Sequence, residues 1–306
     1  MKPIRSFDQV IAGLQGTGKR ARIAVVHPDD EQTQYAVNRA LQEGIAEFVL
    51  VGDPGVADHC PALAPRDGAV RWVDVRDEDE AARQAVRMAR TGEVDTLMKG
   101  LVNTDKLLHA ILNKQEGLLP RGRVLTHLAM MELPSMGRLL FLTDAAVIPR
   151  PTLAQRLAML DYAVQTCRGF GIERPRIALI HCIEKVSDLF PYSHDYVEMV
   201  RMARAGELGD VIVDGPMDVK TALDRHGAAV KGIASPIDGQ ADVLLFPNIE
   251  SGNVFYKVMS LFTPARLAGL LQGPTCPVIV SSRADSGPDK YYSLVMACQS
   301  IAARRP

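Results

Sequence analysis

The sequence predicts an α/β protein made of two doubly wound, parallel-type α/β domains. Three observations predict it. Strand-length apolar runs alternate with periodic helical segments, polar and glycine-bearing turns follow the runs, and two proline-bearing stretches interrupt the alternation. Such alternation gives parallel βαβ units with helices on both faces of the sheet.

Taken in order, the segment up to about residue 20 reads as an amphipathic helix followed by a glycine-rich turn. Gly13, Gly18 and Lys19 match the spacing of a phosphate-cradling loop, but Arg20 stands where a magnesium-holding Ser or Thr is needed. The turn also precedes a strand instead of following one, so this motif is rejected. Apolar runs at 22–27, 46–51, 70–75, 94–98 and 138–142 predict strands, with helices at 33–43, 78–91 and 104–113 between them. A helix over 153–170, strands at 176–180, 211–213, 243–246 and 278–280, and helices near 194–205, 218–226 and 253–271 follow. The stretches Glu132-Leu133-Pro134-Ser135 and Gln272-Gly273-Pro274 mark the crossings between domains. That division assigns 1–132 plus 274–306 to the first domain and 133–273 to an inserted second one. The expected ligand site is the cleft between them.

At 306 residues the chain is long enough for two domains, and 47% hydrophobic with 23% charged residues is a globular composition. A net charge of -1 argues against a nucleic-acid surface, which carries a basic excess. No apolar run approaches the roughly 18 residues that span a membrane, and the N-terminus lacks a signal-peptide core. The expected location is the cytoplasm. Cys60, Cys167, Cys182, Cys276 and Cys298 are scattered with no C-x-x-C pair, so they are expected to be reduced and structural, with no metal site.

The chemistry-bearing residues sit where strands end. Lys99-Gly100 leads to Thr104 at a helix start, Thr143-Asp144 and Asp214-Gly215-Pro216 end two further strands, and Gly252-Asn253 follows another. The last of these turns, Ser281-Ser282-Arg283-Ala284-Asp285-Ser286, opens the final helix. Open α/β sheets bind ligands outside the carboxyl ends of their strands, and helix N-termini favour anions. Any one of these turns, taken singly, reads first as an ordinary strand end or helix cap. Their recurrence, with lysine and arginine in two of them, points to an anionic small molecule.

The blocks L-M-K-G at 97–100, T-H at 126–127, L-T-D-A-A at 142–146 and D-G-P at 214–216 carry a resemblance. So do K-G-I-A-S-P-I-D-G at 231–239, A-D-V-L-L-F-P-N-I-E-S-G-N at 241–253 and S-R-A-D-S at 282–286. Together, and in order, they resemble the phosphate acetyltransferase and phosphate butyryltransferase family, closer to the butyryl branch in L-M-K-G and in S-R-A-D-S followed by K-Y-Y-S-L. Ile148 departs from the Asn usual in that family.

The resemblance implies transfer of a short acyl group, butyryl or acetyl, between coenzyme A and inorganic phosphate. It implies an isocitrate dehydrogenase-like two-domain architecture and a homodimer. No cofactor is implied, since the coenzyme A thioester is a substrate. By resemblance Arg283 grips phosphate, and Ser282 donates to the oxyanion or to the thiol sulfur. Asp289 is the base that takes the thiol proton, with Asp285 the second candidate. Lys99, Gly100, Thr104, Thr143, Asp144, Gly252, Asn253 and Ser286 are the expected substrate-binding residues. Neither Cys276 nor Cys182 has a histidine placed by sequence to activate it, so direct transfer in a ternary complex is expected over an acyl-cysteine. The competing readings are a metal- and NAD(P)-dependent β-decarboxylating dehydrogenase, which lacks its G-x-G-x-x-G after the first strand here, and a non-catalytic coenzyme A-binding relative.

Overall fold

The computed structural model describes residues 2–282 and 285–304. The chain divides into a terminal unit, Ser6–Leu125 with Arg266–Pro306, and a central unit, Thr126–Ala265 with Met1–Arg5. The terminal unit begins with α1 (Phe7–Thr17), β1 (Ala21–Val26), α2 (Glu31–Gln42), β2 (Ala46–Gly52), α3 (Val56–His59) and β3 (Val70–Asp74). It continues through α4 (Glu78–Arg90), β4 (Thr96–Lys99) and α5 (Thr104–Ile111). The central unit holds β5 (Thr126–Glu132), β6 (Leu139–Thr143), α6 (Leu153–Gly169), β7 (Arg176–Ile180), α7 (Tyr192–Arg204) and β8 (Ile212–Met217). It ends with α8 (Val219–Leu223), α9 (Arg225–Val230), β9 (Val243–Leu245) and α10 (Ile249–Phe262). The chain then returns to the terminal unit with β10 (Arg266–Gln272), β11 (Val278–Ile279) and α11 (Gly287–Ala302).

In the terminal unit the strand order is β3-β2-β1-β4-β11-β10. All neighbours are parallel except the antiparallel β10–β11 pair. Ile23, Ala24, Val25 and Val26 are fully buried, as befits a parallel strand covered on both faces. That burial is why β1 reads as an unbroken apolar run. The central unit orders its strands β5-β6-β9-β7-β8, parallel except for β5–β6. Helix starts are written locally: Ser6, Asp30, Asp77, Thr152, Asn248 and Ser286 each cap a helix by accepting a backbone N–H, a contribution of about 1 kcal/mol apiece.

Several elements differ from expectation: α3 was not expected, the helix expected over 218–226 is the pair α8 and α9, and two further differences bear on the unit boundaries. The helix expected over 253–271 begins at Ile249 and ends at Phe262, and residues 266–272 form β10 instead. Pro264 lacks an N–H and pushes Thr263 to extended backbone, φ -130 and ψ 158, which ends the helix. Strand β5 was not anticipated, because T-H-L-A-M-M-E is poor in β-branched and aromatic residues. Both crossings between units consequently fall ahead of the two proline-bearing stretches, at 125–126 and 265–266, and the chain up to Arg5 joins the central unit. There the Ile4 N–H donates to the Phe170 carbonyl at 2.9 Å. Among the described residues no helix is long and apolar enough to cross a membrane.

Arg156 anchors the central unit. It is 2% exposed, donates from both terminal nitrogens to the Pro247 carbonyl at 3.1 and 3.2 Å, and reaches Asp195 at 3.3 Å. Tyr192 and Tyr196 lie 5.4 Å from its guanidinium. Pro247 immediately precedes the cap of α10, so this contact holds the end of β9. Replacing Arg156 by Met leaves that carbonyl without its donors, and Arg156→Met is expected to lower stability by about 1–3 kcal/mol. In denaturant unfolding the midpoint should fall with little change in slope.

Candidate active site

The predicted site residues fall into two clusters, one in each unit. In the terminal unit they gather at the carboxyl ends of adjacent parallel strands. Val26 pairs with Lys99, and Ile279 pairs with Met98, so His27, Gly100 and Ser281 leave the sheet at the same end. Thr96 fastens β4 to β11 by donating its hydroxyl to the Pro277 carbonyl at 2.6 Å. The N–H groups of Gly100 and Leu101 donate to the carbonyls of Val26 and His27 at 2.9 and 2.6 Å.

Only glycine fits at 100: a Cβ there would lie 2.1 Å from the His27 carbonyl oxygen. Lys99 beside it is buried and donates to the Gly100 carbonyl at 3.2 Å. A buried ammonium at the mouth of a parallel sheet is costly unless it meets anionic or carbonyl oxygens, and the Gly100 carbonyl is one such partner. Thr104 opens α5 four residues of loop later, half-buried.

The elbow after β11 is closed on itself. The Ser282 N–H donates to Asp285 Oδ2 at 2.7 Å, and the Asp285 N–H returns to the Ser282 carbonyl at 3.2 Å. Ser286 caps α11: its hydroxyl accepts from the Asp289 N–H at 3.2 Å and donates to Asp289 Oδ2 at 2.6 Å. Both candidate bases thus have structural partners as well. Burial, then the charge of Asp285, pushes the Asp289 carboxyl above its ordinary value. Arg283 lies outside the described residues. Ser281 is buried, and its hydroxyl has no hydrogen-bond partner among the described residues.

Sequence reasoning passed over the segment after β1. His27 adopts φ +52, its Nδ1 lies 3.2 Å from Asp29, and the hydrogen bond to Asp29 raises its pKa. Its Nε2 is buried without a partner among the described residues. The signal was present in H-P-D-D, a histidine and two carboxylates at a strand end.

In the central unit one carboxylate organises the second cluster. Asp144, 1% exposed, accepts from the Thr126 hydroxyl at 2.6 Å and from the N–H groups of His127 at 3.0 Å, Ala146 at 2.7 Å, Val147 at 2.8 Å and Ile148 at 3.3 Å. Thr143 is fully buried, with its hydroxyl 3.4 Å from that of Thr126. A Cβ on Gly252 would lie 2.2 Å from the Asp144 carbonyl oxygen, and Asn253 donates its amide to the Ala145 carbonyl at 2.9 Å. Asp144, Gly252 and Asn253 therefore shape the 144–148 loop: the Asp144 carboxylate is occupied by protein donors. The block at 231–239 is likewise tied to β8 and its surroundings, through Ser235 to Asp214 at 2.6 Å and Lys231 to Glu184 at 2.7 Å.

The cysteines behave as small apolar or surface groups. Burial pushes the Cys276 thiol up to about 12, far from a thiolate at neutral pH. Cys182 is exposed, in contrast to the structural place expected for it, and its sulfur lies 3.7 Å from His181 Nδ1. That nitrogen already accepts the Ile183 N–H at 3.0 Å.

Comparison with known proteins places the chain in a family. The family model described as "Phosphate acetyl/butaryl transferase" matches residues 70–298. The phosphate butyryltransferase of Clostridium acetobutylicum is 35% identical over 302 residues, covering 96% of this chain and 97% of that protein. The phosphate acetyltransferase of Thermotoga maritima is 33% identical over 292 residues, covering 95% of this chain and 98% of that protein. Among solved structures, a branched-chain phosphotransacylase from Enterococcus faecalis V583 superposes with a TM-score of 0.81 at 28% identity, covering 92% of this chain and 99% of that one. With the family model matching most of its length, this chain belongs to the phosphate acetyl/butaryl transferase family.

Proposed function

We propose that this protein transfers a short acyl group, butyryl or acetyl, between coenzyme A and inorganic phosphate by direct attack in a ternary complex. The observation that carries the reading is the convergence, at the carboxyl ends of β4 and β11 in a member of this family, of buried Lys99, close-packed Gly100 and the Ser282 elbow leading to Asp289.

In the acyl phosphate direction, Asp289 takes the proton of the thiol, the sulfur forms a bond to the acyl carbon, and the bond to the phosphate oxygen breaks to release phosphate. Asp289 is assigned as base ahead of Asp285 because burial raises its pKa, bringing it closer to a thiol near 8.5. Ser282 donates to the oxyanion, while Arg283 and Lys99 hold the phosphate oxygens. Thr104, Thr143 and Ser286 remain assigned to substrate contacts; Asp144, Gly252 and Asn253 act by holding the 144–148 loop. The reaction needs no resident cofactor. Its expected compartment is the cytoplasm. The dehydrogenase reading is not favoured, because the matching family is one of acyltransferases.

The protein is expected to act as a homodimer, and α10 offers the face. Val254, Val258, Leu261 and Phe262 are 61, 43, 74 and 79% exposed, at i, i+4, i+7 and i+8, so they form one apolar stripe on the helix. Such a stripe can pair with itself across a two-fold axis.

Three outcomes are expected. Purified protein mixed with acetyl-, propionyl-, butyryl- and longer acyl-CoA should release thiol only when phosphate is present, with intersecting initial-velocity patterns; Arg283→Ala should abolish turnover in a folded protein. Ping-pong kinetics or an acyl group trapped on Cys182 would refute direct transfer, and no thiol release with any substrate would refute the activity. Asp289→Asn should lower kcat by about 10²–10⁴-fold. Because the folded carboxyl holds its proton to higher pH, the acid limb of wild-type kcat/KM should lie above the ordinary Asp value of about 4 and vanish in the variant. Finally, light scattering should find a dimer, and Leu261→Asp with Phe262→Asp should give a folded monomer.

A further inference from the structure

We propose that Lys290 is a positioning residue for acyl transfer: its buried ammonium, held by Asp30 and Thr33, fixes the first turn of α11 against the start of α2 and so sets the place of the Ser282 elbow and Asp289. The proposal rests on the acyltransferase reading of that elbow.

Lys290 is 2% exposed. Its Nζ donates to Asp30 Oδ1 at 2.9 Å and to the Thr33 hydroxyl at 3.0 Å. Asp30 is itself fixed, since it caps α2 by accepting the Thr33 N–H at 2.9 Å and the Thr33 hydroxyl at 2.6 Å. Burial pushes the Asp30 carboxyl up, but hydrogen bonds from Thr33 and Lys290 outweigh it and hold the group below its ordinary value. Two more contacts join the same turns. The Gly287 N–H donates to Gln32 Oε1 at 2.6 Å, and a Cβ on Gly287 would meet the Tyr35 ring at 2.7 Å.

A buried ion pair is weak evidence for stability, because apolar side chains of similar size would join two helices as well or better. What the pair supplies is direction: an ammonium that must meet one carboxylate and one hydroxyl accepts a single register. The residue before Lys290 is Asp289, whose carboxylate Ser286 holds at 2.6 Å. On the other side, α2 follows the His27 carbonyl against which Gly100 packs. The Lys99-Gly100 strand end is thus joined by hydrogen bonds to the end of β1, by the short 27–30 segment to Asp30, and by the Asp30–Lys290 pair to the neighbour of Asp289. A displacement of about 1 Å at such a site is enough to cost on the order of 100-fold in rate.

The test compares Lys290→Met, Asp30→Asn and the double variant in the full chain, reading kcat, KM for butyryl-CoA and phosphate, and the unfolding midpoint. Each single variant leaves one buried group uncompensated and should unfold more readily. The double variant removes both charges, and Asn still caps α2, so its midpoint should recover. Its kcat should nevertheless stay about 10–100-fold below wild type, with KM for butyryl-CoA within about twofold because Lys290, buried against Asp30 and Thr33, acts in this proposal through Asp289 and not on the substrate. Recovery of kcat together with stability overturns the proposal, as does a double variant that fails to fold, since the pair would then be structural. If wild-type protein releases no thiol from any acyl-CoA, the activity itself fails; if wild type is active and the variants keep its kcat, only the role of Lys290 does.

Discussion

Parallel strands buried on both faces end inside the protein, and every peptide group freed at those ends must find a partner. This constraint shapes both clusters of site residues. At the end of β6 it is met by one carboxylate, Asp144, which collects the Thr126 hydroxyl and four backbone N–H groups. At the ends of β1 and β4 it is met by direct backbone contact, with Gly100 and Leu101 donating to Val26 and His27. That second solution works only while residue 100 lacks a side chain. The polar residues near the strand ends are therefore there first because the sheet needs them, and chemistry is built on what their geometry leaves open.

The elbow after β11 illustrates how structure and chemistry share the same atoms. Ser286 and Asp289 form a helix cap, and Asp285 closes a turn on the Ser282 N–H. These roles are compatible with the catalytic part proposed for Asp289. A capping pair holds the carboxylate in one rotamer, which an unrestrained side chain on a loop would not achieve, and burial with a neighbouring Asp285 raises its pKa. In the role proposed for Asp289, a carboxylate held in one orientation with its proton affinity raised suits thiol deprotonation better than a solvated aspartate does.

The alternating strands and helices were legible because buried parallel strands write themselves as apolar runs and helix starts as Ser, Thr, Asp or Asn caps. β5 and β10 were not. T-H-L-A-M-M-E lacks β-formers, and R-L-A-G-L-L-Q continues the helical period of α10 until Pro264 is weighed. For the site, the strand-end turns and the resemblance pointed to Gly100, Asp144, Gly252 and Asn253 as substrate contacts, whereas the five protein donors on the Asp144 carboxylate came into view only with the fold. Lys290 stood in plain view beside Asp289, but its partners Asp30 and Thr33 are some 260 residues away in sequence. Nothing short of the fold brings them together.

Ile148 shows how the same constraint limits what a departure from the family pattern can mean. The link from this position to Asp144 is made by the backbone N–H at 3.3 Å, a donor every residue but proline possesses. The side chain is 6% exposed and belongs to the core beneath the loop. Exchanging Asn for Ile therefore leaves the hydrogen bonds to the Asp144 carboxylate intact and exchanges a buried amide, which would need partners of its own, for apolar volume. The consequence is a loop whose backbone course is kept while the surface it rests on becomes more apolar. The change is thus one of packing, and the backbone donor that ties this position to Asp144 stays in place.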